Sequence, residues 1–181
     1  MRLVLLGGPG SGKSTQSNNL SQQLNLPVIS MGGILRDAIT SATPLGIKAK
    51  SYVEKGDLLP DPIIIEFIQQ RLGQEDGGQG WILEGYPRTA FQAEELDFLL
   101  EDLGQPLDWA LHLKIDEATM VERSLNRSLF DDHPEVVTNR IGRFHEYTIP
   151  LLEYYDAKKK LLTVNAHLEV DQVTELILSQ F

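Results

Sequence analysis

Short apolar runs alternate along the chain with longer segments of helical spacing. The apolar runs are typical of buried strands and lie at 2–6, 26–30, 80–86, 108–115 and 161–166. The spacing predicts helices at 13–24, 32–40, 46–56, 61–72, 88–103, 116–128, 132–159 and 171–181. Strands that alternate with helices favour a parallel sheet with helices on both faces. We therefore predict an α/β fold of three layers around a central five-stranded parallel sheet.

Composition narrows the class of protein. The chain has 181 residues, of which 41% are hydrophobic and 23% charged, and these values predict one globular domain over residues 1–181. Its formal net charge of −10 argues against nucleic acid as a partner, because phosphate backbones attract basic surfaces. No apolar run approaches the ~18 residues that span a bilayer, so we expect no membrane partner. The chain has no cysteine, which fits the cytoplasmic location that we expect.

A glycine-rich segment follows the first predicted strand and precedes the first predicted helix. Gly7, Gly12, Lys13 and Ser14 satisfy the pattern G-x-x-x-x-G-K-[ST]. Glycines let successive backbone N–H groups point inward at phosphate oxygens, and the positive end of the following helix adds to this field. The Lys13 ammonium can bridge the terminal phosphates, while the Ser14 hydroxyl can reach Mg²⁺ or its waters. The segment predicts nucleotide binding but no particular reaction, since GTPases, motor ATPases and small-molecule kinases share it.

Arginines recur near positions where the predicted strands end. They are Arg36, Arg88, Arg123 and Arg140. Ligands of open parallel sheets lie at this edge, and guanidinium groups match phosphate oxygens in pairs. A lone arginine is also compatible with a solvated helix face, but Arg88 stands directly after a predicted strand in the turn EGYPRT. Several arginines in one cleft would neutralise the charge that moves during phosphoryl transfer.

Five segments in order resemble the adenylate kinases among the nucleoside monophosphate kinases. They are GGPGSGKST (7–15), ISMGGILRDAI (29–39), EKGDLLPDPIII (54–65), LEGYPRTAFQAEEL (83–96) and DDHPEVVTNRIGRFHEYTIPLLEYY (131–155). The resemblance implies the P-loop nucleoside-kinase fold and reversible phosphoryl transfer from MgATP to AMP, giving two ADP. ATP, AMP and ADP would be the small-molecule partners, Mg²⁺ would accompany ATP, and the protein would be a monomer.

The resemblance also implies site residues. Those expected to act on the transferred phosphoryl group are Lys13, Arg88, Arg123 and Arg140. Those expected to bind ATP are Gly8, Gly10, Ser11, Gly12, Lys13, Ser14, Thr15, Arg123 and Leu168. Those expected to bind AMP are Met31, Arg36, Asp57, Leu58, Leu59, Gly85, Tyr86, Pro87, Arg88, Gln92 and Arg140. Ser14 and Glu84 would hold the metal ion through water.

Two mobile parts would close over the substrates in this family and exclude water. The resemblance places them at about 30–59, the AMP-side helices, and at about 122–132, the lid. The lid is of the short type. It has no cysteine, so the zinc site of some long-lidded relatives is absent from it.

Four positions depart from the family pattern, of which Tyr86 in place of phenylalanine is a mild change. Met31 stands where the family has threonine near the AMP adenine, and Glu84 stands where it has aspartate. Leu129 occupies the position of a lid arginine and brings no charge to the phosphoryl group. Arg127, two positions earlier, is a possible substitute for that arginine. It could equally be a solvent-facing arginine beside the acidic pair that follows.

These departures leave two alternatives to an adenylate kinase. Met31 would admit a kinase for another nucleoside monophosphate, because a thioether donates no hydrogen bond to a base. Leu129 would admit a nucleotide-binding protein of weak activity. Thr89 and Gln92 favour AMP, since the corresponding turn of the uridylate and cytidylate kinases usually carries asparagine after Pro-Arg.

Overall fold

The computed structural model describes residues 1–74, 78–127 and 129–181. Residue 128, which belongs to the predicted lid and ends a predicted helix, lies outside the described residues. The strands are β1 (Arg2–Leu6), β2 (Val28–Ser30), β3 (Trp81–Glu84), β4 (Trp109–Lys114) and β5 (Leu161–Asn165). The helices are α1 (Lys13–Leu24), α2 (Met31–Thr40), α3 (Pro44–Lys55), α4 (Asp61–Leu72), α5 (Ala90–Asp102), α6 (Glu117–Asn126), α7 (Pro134–Arg143), α8 (Ile149–Ala157) and α9 (Val170–Leu178).

The strands form one parallel sheet in the order β2-β3-β1-β4-β5, which confirms the predicted fold. In this register Leu5 of β1 lies beside Glu84 of β3, and Leu6 lies beside His112 of β4. Strands β2 and β3 lie on one side of β1 within the sheet, and β4 and β5 lie on the other. The connections after β1 and β3 therefore lead in opposite directions, and a cleft opens at the carboxyl end of β1. The glycine-rich segment begins there.

Side chains of β1 alternate between two cores, one on each face of the sheet. Val4 and Leu6 pack in the core formed with α2, α3, α4, α5 and α8. Leu3 and Leu5 pack in the core formed with α1, α6, α7 and α9. A strand buried on both faces reads as a continuous apolar run, which is why its sequence, RLVLL, shows no alternation of polar and apolar residues.

The prediction of one regular α-helix over 132–159 is wrong, because the winding changes within it. A wider π-helical turn, Phe144–Thr148, separates α7 from α8, and the Ile149 N–H donates to the carbonyl of Phe144 five residues earlier. Pro150 explains the change of winding, because it lacks an N–H and its ring clashes with the carbonyl four residues before it. The turn brings Thr148 to the cleft, where its hydroxyl donates to the carbonyl of Arg88 at 3.2 Å.

In the described part of the chain, no helix combines the length and the apolar character that crossing a bilayer would require.

Candidate active site

The glycine-rich loop between β1 and α1 has the backbone geometry of an anion cradle. Gly7, Gly10 and Gly12 have φ of 146°, 72° and 90°. A Cβ at Gly10 would lie 2.8 Å from the carbonyl oxygen of Met120, so the close approach of α6 also requires glycine there. Helix α1 begins at Lys13 and has no acidic residue in its first turn. The positive end of its dipole is therefore available to an anion.

Lys13 turns back over the loop. Its ammonium donates to the carbonyls of Gly7 at 2.8 Å and Gly8 at 2.7 Å. Burial lowers the pKa of Lys13 to about 7, although the nearby Glu84 carboxylate raises it. Two carbonyls compensate a cation poorly, whereas a phosphate would supply the opposite charge in full. The ammonium is therefore a strong candidate for contact with phosphate.

The buried carboxylate of Glu84, at the carboxyl end of β3, accepts hydrogen bonds from three serine hydroxyls. Ser14 reaches Oε1 at 3.0 Å, Ser17 reaches Oε2 at 3.3 Å, and Ser30 bonds to Oε1. Glu84 and Ser14 thus lie together beside the loop. They present carboxylate and hydroxyl oxygens, the donors that Mg²⁺ prefers. Among the described residues, no cluster of three or more His, Cys, Asp or Glu side chains could hold a metal alone.

Two cavities flank the loop, and each gathers one of the predicted binding sets. The β3 cavity is lined by all the predicted AMP residues, namely Met31, Arg36, Asp57, Leu58, Leu59, Gly85, Tyr86, Pro87, Arg88, Gln92 and Arg140, and by Glu84. The β5 cavity is lined by Gly10, Ser11, Gly12, Lys13, Ser14, Thr15, Arg123 and Leu168. The residues common to the two linings are Lys13, Ser14 and Arg127. The cavities therefore meet at these three side chains.

Gly8 is the predicted ATP residue that lines neither cavity. It lies beneath the Lys13 ammonium and against α6, where an added Cβ would come within 2.3 Å of the Met120 sulfur. In the β5 cavity, Arg123 donates to the carbonyl of Ala166 at 3.0 Å. That bond ties α6 to the segment after β5 and holds Arg123 beside the exposed Leu168.

Arg88 and Gln92, which follow the cis Tyr86–Pro87 peptide, line the β3 cavity. The Arg88 Nε donates to the carbonyl of Gly85 at 3.0 Å, and the Gln92 Oε1 accepts from the Arg88 backbone N–H at 2.8 Å. Burial, together with repulsion from Arg140 and Arg36, lowers the pKa of Arg88 to about 10. The guanidinium therefore keeps its charge at neutral pH, in a cavity where cations repel one another.

Met31 is fully buried at the start of α2 and lines the β3 cavity. A Cβ at Gly85, whose φ is 81°, would lie 3.3 Å from the Met31 Cβ. The backbone after β3 therefore lies against α2 at this point. The thioether offers a flat base a packing surface rather than a hydrogen-bond donor.

Asp57 connects the predicted AMP-side helices to α7. Its Oδ1 accepts from Asn139 at 3.1 Å and from Arg143 Nη2 at 3.0 Å. The Asn139 amide also donates to the carbonyl of Lys55 at 2.7 Å. The hydrogen bonds from Asn139 and then from Arg143 lower the pKa of Asp57 below its ordinary value. The end of α3 is thus held against α7.

Three charged side chains of the predicted lid, Arg127, Asp131 and Asp132, form a network with Arg140 of α7. Arg127 donates to both carboxylate oxygens of Asp132, at 2.9 and 2.7 Å, and Arg140 donates to Asp132 at 3.2 Å and to Asp131. These bonds to Asp132 raise the pKa of Arg127. The Leu129 backbone N–H joins the same carboxylate at 3.2 Å. Arg127 therefore bonds Asp132 and also lines the cleft, so it is not simply solvent-facing.

Several side chains of the site were not predicted from the sequence as site residues. They are Ser17, Ser30, Asp61, Asp131, Asp132, Asn139, Arg143 and Thr148. All of them except Ser17 stand inside the segments that resemble the family, and Asp131 and Asp132 also form an acidic pair near two arginines. The others pair with residues far away in the sequence.

The sequence was compared with known proteins. The family model described as adenylate kinase matches residues 5–160. The chain is 86% identical over 180 residues to adenylate kinase 2 of Synechocystis sp. (strain PCC 6803), covering 99% of both chains. It is 57% identical over 178 residues to adenylate kinase 2 of Nostoc sp. (strain PCC 7120), covering 98% of this chain and 95% of the relative. The chain belongs to the adenylate kinase family.

Membership of the adenylate kinase family confirms the resemblance and the prediction of an enzyme that phosphorylates a nucleoside monophosphate. Adenylate kinases generally use MgATP. Relatives with lower identity carry the same name, among them adenylate kinase 1 of Nostoc sp. (strain PCC 7120), at 43% identity over 173 residues that cover 96% of this chain and 94% of the relative. None of the three relatives is named for another acceptor nucleotide.

Proposed function

We propose that this adenylate kinase moves the γ-phosphoryl group of MgATP to AMP where its two cavities meet, at Lys13 and Arg127. The observation that carries the proposal is that these two cations and Ser14 line both cavities. A group passing from one nucleotide to the other would remain beside the same positive charges throughout. ATP occupies the β5 cavity and the loop, and AMP occupies the β3 cavity.

On the ATP side, the loop provides backbone N–H groups, and the start of α1 provides its dipole. Lys13 leaves the carbonyls of Gly7 and Gly8 and donates to the terminal phosphates. Arg123, held by the carbonyl of Ala166, lies where it can contact the base or the phosphates. Leu168 contributes a main-chain contact to the ATP base.

On the AMP side, three arginines with different surroundings receive the phosphate. Arg88 is fixed by the carbonyl of Gly85, while Arg140 and Arg36 approach from α7 and α2 and share Asp131. The Arg36–Asp131 separation of 4.0 Å is long for a direct ion pair, so a phosphate can replace the carboxylate at little cost. Gln92 reads the adenine edge, and Met31 packs beside the base.

The chemistry needs alignment and charge, without a general base. A phosphate oxygen of AMP attacks the γ-phosphorus of ATP, and the bond from that phosphorus to the β,γ-bridging oxygen breaks. The arginines and Lys13 stabilise the negative charge as it shifts from the attacking AMP oxygen to the β,γ-bridging oxygen, which leaves on the β-phosphate of one ADP. Exclusion of water prevents hydrolysis of ATP, and closure of the segments near 30–59 and 122–132 would achieve it.

Ser14 and Glu84 are the residues that fit a magnesium ion carried by the nucleotide. The Ser14 hydroxyl and the Glu84 carboxylate already lie 3.0 Å apart beside the loop, and one carboxylate suits an ion that keeps several waters. Magnesium, when bound, neutralises phosphate charge. Ser17 and Ser30 hold the carboxylate in place by donating to it.

Arg127 supplies the charge that Leu129 does not. It lines both cavities and is bonded to Asp132, which also accepts the Leu129 backbone N–H. Exchange of that carboxylate for a phosphate oxygen would turn the guanidinium towards the transferred group. Asp131 and Asp132 keep the arginines paired until nucleotide binds.

The test is coupled ADP formation from ATP, AMP and Mg²⁺, with Lys13→Met as the variant and Lys48→Met as its matched control. Lys48 is exposed on α3, so Lys48→Met makes the same chemical change at a position away from the loop. We expect the kcat of Lys13→Met to fall by about 10³-fold and that of Lys48→Met to equal the parent's. CMP, UMP and dAMP as acceptors should give lower kcat/KM than AMP.

Parent protein that binds both nucleotides but turns over no faster than Lys13→Met would contradict the proposal. The cleft would then serve nucleotide binding alone. A higher kcat/KM for another monophosphate would leave the kinase in place and move its acceptor away from AMP.

A further inference from the structure

The side-chain amide of Gln92 is buried and bonded at both of its polar atoms. Its Oε1 accepts from the Arg88 backbone N–H at 2.8 Å, and its Nε2 donates to Asp61 Oδ1 at 2.8 Å. Only 3% of Gln92 is exposed. Its backbone is also fixed, since its N–H donates to the Thr89 hydroxyl and its carbonyl accepts from the Tyr86 hydroxyl.

These two partners permit one orientation of the amide. A backbone N–H can only donate, and an ionised carboxylate can only accept. Rotating the amide by 180° would set the Nε2 hydrogens against the Arg88 N–H and Oε1 against the Asp61 carboxylate. Both contacts would then be repulsive, at a buried position where unpaired polar groups are costly. Asp61, in the first turn of α4, therefore helps to fix which end of the amide is the donor.

The orientation matters because Gln92 lines the β3 cavity. After the two bonds above, Oε1 keeps one lone pair and Nε2 keeps one hydrogen for a ligand. Adenine presents an amino donor beside a ring-nitrogen acceptor, which complements such an amide. Hypoxanthine has the reverse order along the same edge, a carbonyl acceptor beside a ring N–H donor. It complements only the rotated amide.

We propose that Asp61 is a positioning residue that sets the base specificity of the AMP site by fixing the amide of Gln92. This inference rests on the proposed function, in which Gln92 reads the adenine of AMP. Asp61 does not itself line the β3 cavity and acts through Gln92. Asparagine at this position can either donate or accept, so it removes one of the two constraints on the amide.

If Asp61 served only to tie α4 to α5, its loss would have a different effect. Loss of such a tie would lower stability and impair all acceptors alike. Electrostatics alone predicts that Asp61→Asn binds AMP more tightly, because the substitution removes a negative charge near a site for a phosphate dianion. The positioning role predicts weaker binding. A change in the choice between two bases separates the positioning role from both.

The experiment is steady-state kinetics of the full chain with AMP and IMP as acceptors, for Asp61→Asn, Asp61→Ala and Gln92→Ala. The matched control is Glu66→Gln, which removes one charge from an exposed position of α4. We expect Asp61→Asn to raise the KM for AMP and to lower the ratio of kcat/KM for AMP over IMP by about 10-fold, the weaker end of what one bidentate base contact contributes. The KM for ATP and the kcat at saturating AMP should stay within about 2-fold, and Glu66→Gln should match the parent.

An unchanged AMP-to-IMP ratio in Asp61→Asn and Asp61→Ala, while Gln92→Ala lowers it, would overturn the positioning role alone. An unchanged ratio in Gln92→Ala would instead refute the assignment of Gln92 as the base-reading residue in the proposed function. Thermal unfolding of each variant shows whether it is folded. Asp61→Ala, which leaves Nε2 without its acceptor, gives the same test should Asp61→Asn fail to fold.

Discussion

The β3 cavity and the lid region hold their polar side chains in different ways. In the cavity, Gln92 is buried between a backbone N–H and Asp61, and Glu84 accepts from three serines. In the lid region, Arg127 bonds to Asp132, and Arg140 of the neighbouring α7 bonds to Asp131 and Asp132. A base contact needs a fixed donor and acceptor, whereas charge delivery needs a partner that a phosphate can replace. Under the proposed function, the first region therefore sets the choice of base and the second sets the rate of phosphoryl transfer.

The largest expected effect on kcat among these tests of the comparison is that of substituting Arg127. Arg127→Ala removes a guanidinium that lines both cavities, so we expect kcat to fall by about 10²-fold or more in coupled ADP formation. Arg127→Lys should recover only part of the loss, because lysine cannot form the paired bonds of a guanidinium. The ratio of kcat/KM for AMP over IMP should stay unchanged, since the proposed base contacts, at Gln92 and Met31, do not involve Arg127.

Two companion variants decide whether Arg127 substitutes for the lid arginine. Arg127→Ala combined with Leu129→Arg should regain activity relative to Arg127→Ala alone. Arg2→Ala, at the amino end of the sheet, is the control and should leave kcat unchanged. Retention of more than half of the parent kcat by Arg127→Ala would assign the charge to other residues.

A smaller effect, on stability, is expected at Glu84. Glu84→Gln replaces an acceptor of three hydroxyl hydrogen bonds with an amide whose nitrogen cannot accept. We expect the free energy of unfolding to fall by about 1–3 kcal/mol in denaturant titrations and the Mg²⁺ concentration for half-maximal activity to rise. Glu101→Gln, exposed at the end of α5, should change neither quantity. Equal stability of Glu84→Gln and the parent would mean that the carboxylate is not fixed as described.

The smallest expected effect is the uptake of a proton by Lys13 when nucleotide binds. Burial lowers its pKa to about 7 in the free protein, and bound phosphates would raise it. At pH 8, where the free ammonium is mostly deprotonated, binding of a non-hydrolysable ATP analogue with Mg²⁺ should take up about one proton. At pH 6 Lys13 is already charged, so its uptake should vanish. Calorimetry in buffers of different ionisation enthalpy measures this. Lys13→Met should lose the uptake at pH 8, and its persistence there would exclude Lys13 as the source.

Much of the fold could be predicted because its signals are local. Strand β1 and helices α1 and α4 begin and end at the predicted residues, since Gly, Pro and apolar runs mark their ends. Strand β3 is shorter than predicted, because Gly85 has positive φ and turns the chain. The helix over 132–159 could not be predicted correctly from periodicity, because the effect of Pro150 on winding depends on how the helix packs.

The candidate site was predictable only in part, for a physical reason. The loop residues and the arginines carry their chemistry in their own side chains and in short motifs. The Gln92–Asp61 bond joins residues 31 positions apart, and the Ser30–Glu84 bond joins residues 54 positions apart. No spacing relates such pairs until the sheet brings β2 beside β3 and α4 packs against α5. The structure was therefore needed to find the residues that orient the site.

The most direct test of base specificity by a fixed amide applies the same base change to both nucleotides. One would measure kcat/KM for AMP against IMP with ATP fixed, and for ATP against ITP with AMP fixed. In the proposed function the β3 cavity reads its base with an oriented amide, so we predict a preference of about 100-fold for AMP. In the β5 cavity, Arg123 is bonded to a backbone carbonyl and Leu168 is exposed, so the preference for ATP should be under about 10-fold. Equal preferences on the two sides, or a stronger one for ATP, would contradict the account.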